Sequence, residues 1–185
     1  MKTLVIHPDD RTTDFLNVIY KDKDWTVITD RGEILKSFEQ IKSHDRIIMM
    51  GHGSPYGLLG FQNMFMNSEF IKVLQTKDCV CIWCNADQYV LRENIKGFYT
   101  GMFISEVSEA RYFDIIVDQE TVDFSNMLFV YLMKDVIDSP TLITEIKRDY
   151  YSDTNPVIHY NNQRLYYRDE ESILSRRDLD DEFLM

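Results

Sequence analysis

Two residues of this chain have the types and the placement to do chemistry together. His52 follows the apolar run "RIIMM" and stands between Gly51 and Gly53, while Cys84 closes a second apolar run, "CVCIWC". A buried strand that stops at glycines leaves the next side chain at the sheet edge, where backbone can approach a ligand closely. If the two runs are neighbouring strands joined by a helix, His52 and Cys84 project from one edge about one strand spacing, ~4.8 Å, apart. In an open α/β sheet that edge, outside the carboxyl ends of the strands, is where ligands bind. An imidazole there can withdraw the cysteine proton, creating the nucleophilic thiolate, and later hand a proton to a leaving amine. The amide N–H of Gly53, with that of Cys84, can face a developing oxyanion.

The rest of the chain must build that edge. "TLVIH" (3 to 7) reads as a buried strand closed by Pro8 and two aspartates, and "TTDFLNVIYK" follows with Phe15, Leu16, Ile19 and Tyr20 on a helical face. "WTVIT", "RIIMM", "CVCIWC" and "FYTGMFIS" supply further strands. Between them lie helical patterns in "GEILKSFEQIKSH", "SEFIKVLQ" and "ADQYVLREN", with a small hairpin expected in "GHGSPYGLLGFQNMFMN". Strand alternation sets Cys79 and Cys81 on the face opposite Val80 and Ile82. Two successive helices are expected over 121–150, parted at Ser139-Pro140, with the "MLFVYLM" run in the core or at a partner interface. A final strand with a hairpin around Asn161-Asn162 completes the order. The expectation is an α/β three-layer sandwich with a mostly parallel central sheet of about six strands. It occupies residues 1–168 as one domain, followed by an acidic tail, 169–185, expected to be loosely packed or disordered.

An apolar strand, His-Gly, a Gly-rich hairpin, a helix and an apolar strand ending in Cys together resemble the caspase-like cysteine peptidases, the group of caspases, metacaspases, gingipain, clostripain and legumain. The resemblance implies a caspase-like fold and a cysteine endopeptidase with His52 and Cys84 as catalytic dyad and Gly53 and Cys84 as oxyanion donors. It also implies a substrate pocket bordered by Ser105, Glu106 and Glu109 in "FISEVSEARYF". Two positions depart from the family pattern. Members that cleave after basic residues commonly carry an acid where this chain has Ile82, and the usual small residue after the cysteine is Asn85 here.

Composition narrows the partners. Asp and Glu number 31 against 20 Lys and Arg, a net charge of -11 that repels phosphate backbones and anionic lipid. A peptide or protein substrate is therefore expected, with neither nucleic acid nor membrane as partner. No apolar run reaches the ~18 residues of a spanning helix and the N-terminus turns acidic at once, so a cytoplasmic protein is expected. The three cysteines lie within six residues, a poor disulfide layout, and are expected to remain thiols. No cofactor and no metal are needed for Cys/His chemistry. Three rival readings stand beside it. The first is an inactive caspase-like module for binding or signalling. The second is a metal-dependent hydrolase on His7 and Asp10, whose "HPDD" resembles the signature of zinc-dependent deacetylases, although Arg11 stands where their fifth residue is Glu. The third is zinc held by Cys81, Cys84 and His52.

Overall fold

In the computed structural model, residues 1–30, 34–60 and 68–170 are described. The uninterrupted apolar runs become the centre of a six-stranded sheet. In chain order its members are β1 (Thr3–Ile6), β2 (Thr26–Ile28), β3 (Arg46–Met50), β6 (Asp78–Ile82), β7 (Gly97–Thr100) and β8 (Leu165–Arg168). The spatial order is β2-β1-β3-β6-β7-β8. All neighbours are parallel except β8, which runs antiparallel to β7. A separate two-stranded hairpin, β4 (Gly53–Ser54) and β5 (Gly57–Leu58), realises the hairpin expected after His52, and residues 61–67 of that stretch lie outside the described part.

Strand residues of alternate parity enter different cores, because successive side chains point to opposite faces. Leu4, Ile6, Ile47, Met49, Cys79 and Cys81 pack on one side with Ile41, Phe70, Leu74 and Tyr89. Those partners come from α1 (Ile34–Ser43), α2 (Ser68–Leu74) and α3 (Ala86–Arg92). Val5, Ile48, Met50, Val80 and Ile82 face the other side. They meet Phe129, Val130 and Met133 of α5 (Gln119–Val136), Ile146 of α6 (Leu142–Asp149) and Ile158 of α7 (Pro156–Asn162). Helices thus cover both faces, as a three-layer arrangement requires, and the expected split of Cys79 and Cys81 from Val80 and Ile82 is observed. Close approach is enforced at one point by Gly97. Its φ is +120°, and a Cβ there would lie 1.9 Å from the Cys79 carbonyl oxygen on the adjacent strand.

The helix expected after β1 is present as a 3-10 helix, Arg11–Ile19. Thr13, Leu16 and Ile19 are its buried side chains, a spacing of three that matches three residues per turn. The hairpin at Asn161-Asn162 is instead the last turn of α7. The Asn155 side chain accepts from the N–H groups of Val157 and Ile158, and Pro156 takes the first turn, where its missing N–H costs nothing. The fifth main strand ends at Thr100, leaving 101–106 as an irregular segment at the sheet edge. The acidic tail expected beyond 168 lies, from residue 171, outside the described residues. Among the described residues no helix is long and apolar enough to cross a membrane.

Candidate active site

Strands β3 and β6 are immediate neighbours, with Met50 paired to Ile82. The pairing continues past the strand ends, since the Gly51 N–H donates to the Ile82 carbonyl at 3.0 Å. Beyond that bond His52 and Cys84 both line one cavity of about 30 Å³ with Leu16, Phe103 and Ser105. Each stands two residues beyond its strand, and Cys84 lines the cavity on the side of Ile82. Trp83, of opposite parity, turns to the other core, where its indole lies against Tyr89 and donates to the Ser54 carbonyl at 3.2 Å. Cys84 is half-buried.

Gly53 has a packing reason of its own, because a Cβ there would sit 1.9 Å from Cδ1 of Trp83. Its amide nevertheless remains directed outward. The Leu59 N–H donates to the His52 carbonyl at 2.8 Å, and opposed residues of an antiparallel pair alternate between bonded and non-bonded positions. Gly53 opposite Leu58 is therefore non-bonded, and its N–H points away from β5. Asn85, which departs from the family's small residue, has φ 64°. Asn is among the few non-glycine residues that adopt this left-handed turn readily.

His52 is held from the N-terminal segment. Its Nε2 lies 2.6 Å from Thr12 Oγ1, and Thr12 in turn donates to Asp10 Oδ1 at 2.7 Å. A hydroxyl has one proton to give. With that proton on Asp10, Thr12 accepts from His52, so Nε2 carries the hydrogen and Nδ1 keeps the lone pair a base needs. Sequence reasoning missed Thr12, although the pairing of β1 with β3 brings the turn after one strand beside the turn after the other.

Cys84 is engaged on the opposite side. Its Sγ donates to the Phe103 carbonyl at 3.4 Å and lies 3.8 Å from Glu109 Oε1. Among the described residues it makes no hydrogen bond to His52. Burial first, and the Glu109 charge second, push its thiol up to about 12. Cys79 and Cys81, fully buried in the core, have thiols raised by burial as well. All three cysteines are free.

The two glutamates form a capping box on α4 (Val107–Tyr112), with Glu106 as N-cap and Glu109 three residues on. Glu109 Oε2 accepts from the N–H groups of Ser105 at 2.7 Å and Glu106 at 3.1 Å. Ser105 lines the small cavity, and both Ser105 and Glu106 line a larger one beside it.

The histidine of "HPDD" is built into the core. His7 is 3% exposed, its Nδ1 lies 3.0 Å from the Tyr20 hydroxyl, and its Nε2 lies 3.1 Å from Thr13 Oγ1. Both ring nitrogens thus have protein partners, and Asp10 caps the 3-10 helix. Cys81 faces the sheet side opposite to Cys84, so the zinc triad does not converge. Among the described residues no group of three or more His, Cys, Asp or Glu side chains is arranged to hold a metal. No family model, curated protein or solved structure matches the chain.

Proposed function

We propose that the chain is a cysteine endopeptidase of the caspase-like group, with Cys84 as nucleophile and His52 as general acid and base. The observation that supports the reading is that His52 and Cys84 follow adjacent parallel strands and line one cavity. In the reaction, the Cys84 thiol gives its proton to His52 Nδ1 and the sulfur bonds to the peptide carbonyl carbon. The oxyanion faces the Gly53 and Cys84 amides. His52 then protonates the amine as the C–N bond breaks, leaving a thioester that water hydrolyses with His52 as base.

The alternative reading, an inactive module that binds or signals, is favoured by one observation. The thiol rests on Phe103 and Glu109 and is held protonated. For catalysis it must leave these partners and turn to His52.

A peptidyl chloromethyl ketone, followed by mass mapping of the modified cysteine, separates the two. Rapid alkylation confined to Cys84 and lost in His52→Ala supports the peptidase, because only a thiolate in an accessible cleft reacts fast. Slow alkylation of Cys84 that is indifferent to His52→Ala refutes it and leaves the binding module.

A further inference from the structure

The turn after β1, "PDDRTT", is fastened on both sides. The His7 and Asp9 N–H groups donate to the carbonyls of Ile28 and Thr29 at 3.0 and 3.2 Å, which carries the β1–β2 pairing past the strand ends. Thr13 Oγ1, in the buried first turn of the 3-10 helix, donates to the Asp10 carbonyl at 3.1 Å and lies 3.1 Å from Nε2 of His7. Asp10 therefore stands at a fixed place beside Thr12. Its Oδ1 accepts twice, from the Thr12 N–H at 3.0 Å and from the Thr12 hydroxyl at 2.7 Å.

A helix cap needs only the first of these bonds. The second fixes the direction of a hydroxyl, and that hydroxyl is the one His52 meets, at 2.6 Å from Nε2. A carboxylate only accepts, a threonine hydroxyl has one proton, and a neutral imidazole has one N–H and one lone pair. While Asp10 takes the Thr12 proton, Thr12 accepts from Nε2–H. Without an acceptor at position 10 the same proton is free to turn to Nε2, and the ring hydrogen then belongs on Nδ1. Among the described residues Nδ1 of His52 makes no hydrogen bond, so no second contact opposes that change.

We infer that Asp10 and Thr12 are positioning residues that set the tautomer of His52. Asp10 fixes which way the Thr12 hydroxyl points, and Thr12 transmits that choice to the ring. As a statement about the ring the inference stands apart from the peptidase reading. As a statement about catalysis it rests on it, because the base that deprotonates Cys84 needs the Nδ1 lone pair. The acid of "HPDD" then acts on the site from a distance and touches neither substrate nor nucleophile.

The test is a long-range proton–nitrogen correlation spectrum of the full chain with isotope-labelled histidine, with His52→Gln assigning the signals. It is recorded at about pH 8, above the ordinary histidine range, where a neutral ring reads as Nδ1–H or Nε2–H. The expected result is Nε2–H in the unsubstituted chain and in Asp10→Asn, whose amide oxygen still accepts from Thr12. Asp10→Gly should move the hydrogen to Nδ1, and glycine is itself accepted at helix starts, so the 3-10 helix is kept. Adding Thr12→Val should undo the shift, because no hydroxyl is left to donate. General base catalysis contributes about 10²–10⁴-fold, so Cys84 alkylation by the peptidyl chloromethyl ketone should be at least about tenfold slower in Asp10→Gly. It should be faster again in the double variant, a recovery that loss of the cap alone cannot give. An Asp10→Gly protein that keeps Nε2–H overturns the inference. A tautomer shift with alkylation unchanged sustains the positioning pair and refutes His52 as base, whereas His52-dependent alkylation without any tautomer shift does the reverse.

Discussion

Replacing Glu109 by Gln should make Cys84 more reactive, and the size of the effect follows from the geometry. The carboxylate oxygen lies 3.8 Å from the sulfur. At such a separation two unit charges interact by about 1 kcal/mol in water and about 4 kcal/mol at the effective dielectric of a protein surface. One pKa unit is about 1.4 kcal/mol, and the whole rise from 9.0 to about 12 has burial as its larger cause, so removing the charge should lower the thiol by roughly one unit. Burial, the larger cause, stays in place, and the thiol remains above its ordinary range. Thiolate fraction near pH 8 then rises about tenfold per unit, while intrinsic nucleophilicity falls with pKa at a Brønsted slope of about 0.5. The net expectation is a rise in iodoacetamide alkylation of roughly 3-fold. Glutamine is chosen because its carbonyl oxygen can still accept from the Ser105 and Glu106 N–H groups, preserving the start of α4. The assay is the rate of Cys84 alkylation against pH, read by peptide mass, with buried Cys79 and Cys81 as internal controls. An unchanged rate and midpoint in a folded Glu109→Gln protein would refute the electrostatic account.

Other consequences follow from the same structure. Gly53→Ala places a Cβ 1.9 Å from the Trp83 indole, and overpacking of this kind costs about 1–3 kcal/mol; a drop of several degrees in melting temperature is expected, and an unchanged melting temperature would contradict it. The Cys84 thiol and the Tyr20 and Tyr150 hydroxyls are all raised by burial to about 12. The folded protein thus keeps protons that the unfolded chain releases, so this contribution is complete below about pH 9 and falls as pH rises towards 12, lowering the urea midpoint at pH 10 relative to pH 8. Burial lowers the pKa of His7. The unfolded chain therefore takes up its proton first as pH falls below about 6.5, stability is lost in that direction, and His7→Gln should flatten the urea midpoint between pH 6.5 and 5.5.

Much of the architecture was legible because parallel strands buried on both faces leave an unmistakable pattern. "RIIMM" reads as strand 46–50 and is that strand, and the alternation of Cys79 and Cys81 with Val80 and Ile82 assigned the two faces correctly. The juxtaposition of His52 and Cys84 at one edge was legible too, since it needs only that consecutive strands be neighbours. Local chemistry with two readings was not. "NPVIHYNN" carries both a turn signal and a Pro-started helix, and burial of Val157, Ile158 and Asn161 decided for the helix.

What the sequence determined by itself is therefore the order of the elements and the residue standing at each strand end, because these depend on periodicity along the chain. Only the tertiary structure decided how those residues are held. The Asp10–Thr12–His52 chain joins residues 40 positions apart through the pairing of β1 with β3. The Cys84–Glu109 contact and the unpaired oxygen of Asn126 arise where α4 and α5 pack against one another and the segment after β7. Hydrogen bonds and charge–charge interactions act over a few ångströms in space, and that distance is set by packing.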